Sequence, residues 1–412
     1  MIIKLSMTMN KVFPTTFILI CFLACSTPKS NFESTSFSPE QQLKILTKKA
    51  LINLTKIKVD SLNIPRSIKE DGTLHGVKSR DWTSGFYAGK LWSLYRFSKE
   101  ESLKKAAMEW TAFQKKERYD DHTHDLGFKI YCSFGEGYRL TKDQEYKQVI
   151  IDASNQLIQR FSDKVGAIRS WDHNQDKWDY PVIIDNMMNL EMLFVASKLT
   201  RDDTFYKIAN QHAQTTLKNH FRPDNSSYHV IDFYPENGEV RKRNTHQGYS
   251  HESAWARGQA WGLYGFTVTY RETKNPVYLE QAKKIAKFFF THPNLPEDKI
   301  PYWDFNAPNI PNEVRDASAA AIAASGLIEL SQYDSEHAER YLQWADQVLY
   351  SLSSKEYEAT TPPFFLSQST GHKPHNSEIN VPISYADYYY VEALLRRNAL
   401  LKNGRLSELI LD

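Results

Sequence analysis

The feature that most constrains this chain is the alternating length of the connections between its helical segments. Apolar residues recur at a period of about 3.6, and cap signals punctuate the pattern. The first signal is Ser38-Pro39-Glu40-Gln41, with a side-chain oxygen at the cap, Pro at the first helical position and Gln three residues on. The spacing predicts helices near 38–56, 82–98, 101–118, 124–140, 143–162, 185–199, 203–219, 253–272, 276–292, 315–332, 335–352 and 384–402, with no strand alternation of comparable length. Links of two or three residues (Lys99-Glu100, Thr141-Lys142, Thr200 to Asp202, Thr273 to Asn275, Tyr333-Asp334) follow the even helices. Long ones (57–81, 163–184, 220–252, 293–314, 353–383) mostly precede them. Short links make antiparallel neighbours. The expected fold is therefore all-α, an (α/α)6 barrel or six-hairpin toroid whose even helices form an inner ring. Every long loop then gathers at one end, where the inner helices begin. Loops on a rigid scaffold are the usual seat of function, and helix N-termini favour an anionic ligand.

With 412 residues the chain has length for about two or three ordinary domains, but a closed ring of hairpins takes up such a length as one. The apolar and charged fractions, 41% and 24%, exclude long disorder and multiple membrane spans. A net charge of +2 argues against nucleic acid as a partner. Aromatic content of 13% suits either a helical core or a surface that stacks on sugars. Residues 1–24 read as a signal peptide, with Lys4 and Lys11 before an apolar run, Phe13 to Ala24, too short for a bilayer anchor. Its end, Phe22-Leu23-Ala24-Cys25, resembles a bacterial lipoprotein processing site at which Cys25 is acylated, apart from an imperfect Phe22. Residues 25–37 then form a lipidated, flexible tether, and 38–412 a single catalytic domain. The expected location is the periplasm or outer membrane, with membrane contact only through the lipid. Cys21 leaves with the signal, and Cys132 lies in an apolar helical stretch, so no structural disulfide is expected.

Unusual residues cluster where the topology places the mouth. The inner helices open with Asp81-Trp82-Thr83-Ser84-Gly85-Phe86, His122-Thr123-His124-Asp125-Leu126-Gly127-Phe128, Ile184-Asp185-Asn186-Met187-Met188-Asn189, Ser253-Ala254-Trp255-Ala256-Arg257-Gly258-Gln259-Ala260-Trp261 and Ser384-Tyr385-Ala386-Asp387-Tyr388. Asp125 and Asp185 open consecutive inner helices and should face one cavity. Two carboxylates in a partly apolar site push their pKa values apart, holding one protonated as a general acid. A simple capping role competes with this, less so for Asp185, which sits in the apolar run Pro181 to Met188. Asp316 and Asp387 read as caps or supports. Trp255, Arg257 and Trp261 fit either an Arg fork meeting a carboxylate beside a sugar-flanking indole, or a packed cation–π core. His122 and His124 lack a second cluster at ligand spacing, so neither a metal nor a cofactor is expected. His229 lies in the long loop beyond the seventh helix. Trp171, Trp178 and Trp303 occupy mouth loops, where sugar stacking and a folded-over loop core both remain open.

These segments, together with Pro301-Tyr302-Trp303-Asp304-Phe305 and Ala386-Asp387-Tyr388-Tyr389-Tyr390, resemble in order the signatures of the unsaturated glucuronyl hydrolases, glycoside hydrolase family 88. The likeness runs from about Trp82 to Leu395, and Trp-Ala-Arg-Gly-Gln-Ala-Trp is its most specific part. It implies the same toroid and removal of a 4,5-unsaturated uronic acid from the non-reducing end of lyase-generated oligosaccharides. In that chemistry C4 of the enol ether is protonated, water adds at C5, and the hemiketal opens to expel the remaining sugar. By motif position Asp185 is implied as the acid and then the base, with Asp125 helping to keep it protonated. The resemblance implies substrate binding by His229, Gln247 and Arg257 and aromatic walls from Trp82, Trp255 and Trp261; Ser84 departs from the family's frequent Asn, and Trp171 and Tyr385, by their place at the mouth, are further substrate-binding candidates. Unsaturated rhamnogalacturonyl hydrolases share much of this pattern, and a non-catalytic glycan-binding lipoprotein is the alternative of another class. The parent polysaccharide stays open among glycosaminoglycans, ulvan and gellan-like chains.

Overall fold

The computed structural model describes residues 37–406 and Leu409; the signal segment, Cys25 and the tether to Ser36 lie outside the described residues. α1 (Pro39–Leu54) starts where the capping box predicts, the Ser38 hydroxyl accepting from the Gln41 N–H at 3.2 Å. Five helix pairs follow. α2 (Ser84–Ser98) pairs with α3 (Glu101–Ala112), and a π-helical segment, Gly127–Gly135, runs into α4 (Glu136–Thr141) and pairs with α5 (Gln144–Ile158). α6 (Leu190–Thr200) pairs with α7 (Asp203–Asn219), α8 (Ala256–Thr273) with α9 (Pro276–Thr291), and α10 (Ala317–Leu330) with α11 (Ala338–Leu352). The last helix, α12 (Ser384–Asn403), packs on α1, so the two ends of the described chain make the sixth hairpin. The inner helices touch in the order α2, π segment, α6, α8, α10, α12 and back to α2, closing the ring. Among the described residues no helix is long and apolar enough to cross a membrane.

Burial follows from position in this ring. Inner helices have neighbours on every side, and α10, built largely from alanine, is buried along its whole length. Outer helices bury one stripe, as α5 does with Tyr146, Val149, Ile150, Ala153 and Leu157. α2 presses close to the π segment: a Cβ on Gly85 would lie 2.3 Å from the Phe128 carbonyl oxygen. Lys99, Lys142, Arg201 and Lys274 end inner helices in the left-handed conformation, with φ of 61°, 56°, 64° and 57°. After three of these turns the next helix is capped at once, by Asp143, Asp202 or Asn275 accepting a first-turn N–H.

The long loops carry strands that the sequence pattern did not reveal. β1 (Ile64–Ile68) pairs with β2 (Leu74–Val77), and β3 (Phe161–Ser162) with β4 (Ala167–Ile168). β5 (Tyr180–Ile183), β6 (Val230–Phe233) and β7 (Val240–Asn244) form an antiparallel sheet in that order. β5 and β6 are buried on both faces, so neither shows the alternation by which a half-exposed strand is recognised. Two helix boundaries also differ from expectation. The third helix stops at Ala112 rather than 118 and a 3₁₀ turn, Lys115–Tyr119, follows. The sixth begins as a 3₁₀ turn, Ile184–Met188, before α6 proper.

Candidate active site

The small sheet builds the centre of the mouth. Ile183 at the end of β5 pairs with Val230 at the start of β6, and the Ile184 N–H donates to the His229 carbonyl at 3.1 Å. Asp185 and His229, far apart in sequence, thereby become neighbours, with His229 Nε2 3.5 Å from Asp185 Oδ2. β7 then returns the chain past Asn244, so that the N–H groups of His246 and Gln247 both donate to His229 Nδ1, at 3.1 and 3.0 Å. With Nδ1 an acceptor twice over, the proton of neutral His229 must sit on Nε2, pointing at Asp185. Burial first, then the neighbouring His246, His372 and Arg257, hold this imidazole well below the usual histidine range. The contact is therefore one between a neutral ring and a carboxyl group, not an ion pair.

Asp185 is 7% exposed, and no protein atom among the described residues hydrogen-bonds its Oδ2. Burial pushes its carboxyl up to about 7; the Asp125 charge adds to this, while His124 and Arg257 oppose it. Asp125 behaves oppositely. Burial would raise it, but the charge and hydrogen bond of His124, 3.2 Å away, and the Thr123 hydroxyl at 2.7 Å hold it below the usual carboxylate range. Ser170 joins the two arms that carry these aspartates. Its carbonyl accepts the His124 N–H at 3.0 Å, and its hydroxyl accepts the Ile183 N–H, also at 3.0 Å. Asn189 Oδ1 makes a second tie, accepting the Phe128 N–H at 3.1 Å. Asn189 lies in a motif visible in the sequence, whereas nothing in the sequence marks Ser170, which acts through loop pairing.

Aromatic rings line the remainder. Trp82 lies 5.1 Å from Tyr385 and 5.4 Å from Phe128, centroid to centroid, and Trp255 lies 4.6 Å from His229. Trp171 reaches the Asp125 side through a bridge to Thr123 and packs on Trp178 and His173. Four buried polar atoms on these residues have no protein hydrogen bond: Asp185 Oδ2, His229 Nε2, Trp171 Nε1 and Tyr385 Oη. Buried polar groups are normally satisfied, so these atoms are available to a polar ligand. The family model described as Glycosyl Hydrolase Family 88 matches residues 63–291, more than half of the chain.

The chain belongs to glycoside hydrolase family 88. An unsaturated glucuronyl hydrolase of Formosa agariphila is 49% identical over 84% of this chain and 88% of its own. An unsaturated chondroitin disaccharide hydrolase of Streptococcus pyogenes is 33% identical over 86% and 90%. A crystal structure of an unsaturated glucuronyl hydrolase specific for heparin is 46% identical and superposes with a TM-score of 0.84, covering 88% of this chain and 98% of that one.

Within this family 88 site several expected contacts take a different form. Arg257 does meet a carboxylate, but a protein one: it donates to Asp316 at 3.0 Å and to the Thr370 and Gly371 carbonyls at 2.6 and 2.7 Å. Stacked 4.4 Å from Trp255 and buried, it braces the 370–371 loop with both Nη groups, while its Nε has no protein partner. Asp316 also caps α10 through the Ser318 N–H, the supporting role expected of it. Ser84 is buried with its hydroxyl donated to the Ser79 carbonyl at 2.7 Å, which leaves it no reach to a sugar. Trp261 is fully buried beneath Phe128 and Tyr389, so it backs the aromatic wall without presenting a stacking face. Gln247 donates to the Gly371 carbonyl at 3.1 Å and remains at the site's edge. Trp171, Trp178 and Trp303 are 8%, 4% and 4% exposed, so these indoles form a folded-over loop core instead of an open stacking platform.

Proposed function

We propose that the protein removes 4,5-unsaturated glucuronic acid from the non-reducing end of lyase-generated oligosaccharides, and that Asp185 is its proton donor. The observation that carries the assignment is the pairing of one carboxyl held protonated near neutrality with another held ionised, under one aromatic mouth. In the reaction the Asp185 proton goes to C4 of the enol ether. The resulting carboxylate takes a proton from water as that water bonds to C5. The hemiketal then opens by breaking the C5–ring-oxygen bond, its hydroxyl proton passing to that oxygen. The hemiacetal left at C1 collapses to an aldehyde as its bond to the next sugar breaks and that sugar leaves as an alcohol. His229 Nε2–H faces the same carboxyl, and burial, reinforced by the charge on Asp125, keeps its proton in place before the first step. The mouth lies at inner-helix N-termini, where the anionic uronate is favoured. Relatives named for heparin and chondroitin favour glycosaminoglycan fragments as the substrate class. The Phe22-Leu23-Ala24-Cys25 segment supports export with acylation at Cys25, which labelled-palmitate incorporation into wild type but not Cys25→Ala would test.

The experiment for the activity is loss of the enol-ether ultraviolet absorbance with unsaturated heparin, chondroitin and rhamnogalacturonan disaccharides. Decay on a glucuronyl substrate, lost in Asp185→Asn with the fold intact, is the expected result. Decay confined to the rhamnogalacturonan product, or binding without decay, would refute the assignment.

A further inference from the structure

Three histidines meet where two mouth loops cross. His246 follows β7, while His372 precedes and His375 ends a 3₁₀ turn, Lys373–His375, in the loop before α12. The turn is closed by reciprocal backbone bonds between His372 and Ser377, at 2.9 and 3.1 Å, which hold its two imidazoles on one side. Their rings stack at 3.9 Å, and His246 lies 4.6 Å from His372 and 5.1 Å from His375, centroid to centroid. One ring nitrogen from each residue lies within 4.8 Å of the other two. Among the described residues no hydrogen-bond partner reaches the ring nitrogens of His246 or His375.

His372 adds an orienting contact. Its Nε2 lies 2.9 Å from the His246 carbonyl, an acceptor only, so Nε2 carries the proton and the Nδ1 lone pair is free. Metal-ligating imidazoles are usually fixed in this way, the second ring nitrogen donating to a carbonyl or carboxylate.

We propose that His246, His372 and His375 form a site for one borderline divalent ion of the zinc, nickel and copper class, at the rim of the mouth. Imidazole nitrogen suits these ions, and no carboxylate belongs to the set, which disfavours calcium and magnesium. Tetrahedral coordination with metal–nitrogen bonds of about 2.0–2.1 Å sets nitrogens about 3.3 Å apart, so the ligands must draw together. His375, exposed on its turn, is the ligand free to move: its ring must swing out of the stack on His372 for its in-plane lone pair to converge with the other two, and water completes the shell. The ion would tie the 246 loop to the 372–377 turn across the rim.

The test is calorimetric titration of the tag-free, chelator-stripped mature chain with zinc chloride, alongside cobalt(II) absorption spectra. Wild type is expected to bind one ion and to give the intense visible bands of tetrahedral cobalt. His375→Ala, at an exposed position, should weaken binding by about tenfold or more and abolish those bands. His337→Ala, in the cluster Asp334, Glu336 and His337 near α11, should change neither. Absence of binding by wild type, equal binding by His375→Ala, or loss of binding in His337→Ala would overturn the proposal.

Discussion

Asp185 keeps its proton where most aspartates have lost theirs, because burial penalises its charge and the neighbouring Asp125 reinforces the penalty. Turnover that begins with this proton should fall as pH rises past about 7, the value to which the carboxyl is pushed. Asp125→Asn removes the like charge, so the alkaline limb of the pH–rate profile should move to lower pH in whatever activity remains. A limb that stays in place would show that Asp185 is not the group being titrated. Asp185→Asn should lower kcat by about a thousandfold, since the amide has no proton to give. The same shift carries a stability cost. A raised pKa means that the folded state holds a proton the unfolded chain releases, so stability falls as pH climbs from the ordinary aspartate value of 3.8 towards about 7. Asp185→Asn removes that dependence, and its gain in Tm over wild type should be larger at pH 8 than at pH 5. Equal gains at both pH values would contradict the linkage.

At the scale of elements, the hairpin turns are where sequence and structure agree most closely. Each of Lys99, Lys142, Arg201 and Lys274 combines a left-handed cap with a positive charge at an inner-helix C-terminus, and an Asp, Asn or Glu follows within one residue. Asp143 accepts the Glu145 N–H at 2.7 Å on an exposed outer helix, so Asp143→Ala should cost about 1 kcal/mol in urea unfolding and leave kcat alone. Gly85→Ala should cost more, about 3 kcal/mol, because the methyl would meet the Phe128 backbone, which side-chain rotation cannot relieve. A neutral Gly85→Ala would mean that α2 and the π segment can separate freely. These local rules, repeated around the ring, made the helix pairs and the position of the mouth legible in the sequence. The sheet β5–β6–β7 was not legible, because its central pairing joins residues some fifty apart, Ile183 to Val230, and both strands are buried on each face. The site inherited this gap. Asp125 and Asp185 stood out by their place at inner-helix starts and His229 only through the family resemblance, while the bridge through Ser170, and the commitment of Arg257 to Asp316 and the 370–371 loop, depend on tertiary pairing alone.

At the largest scale, the described helices from α1 to α12 form a ring whose sixth hairpin lacks a covalent link. Lys402 near the end of α12 lies 3.1 Å from Glu40 in the first turn of α1, so the two ends meet on the face that carries the five short turns. α1 contributes Leu43, Leu46 and Ala50 to the core between α12 and α2, each at most 4% exposed. Removing residues 38–56 should therefore bare apolar stripes on both neighbours and abolish cooperative unfolding. Circular permutation should be tolerated, because it restores a turn like the other five. A chain opened between Lys99 and Glu100, with Gly404 joined to Ser38 by a flexible linker of about six residues, keeps every helix and every mouth loop intact. It should unfold in one transition within about 10 °C of wild type and retain turnover within about tenfold. These two variants separate two descriptions of α1. If the truncated chain folds and turns over substrate while the permutant aggregates, α1 is an appendage and the ring is closed by five hairpins. If the permutant works and the truncation fails, closure by the sixth pair holds the inner helices, and with them the loops bearing Asp125 and Asp185, at their working separation.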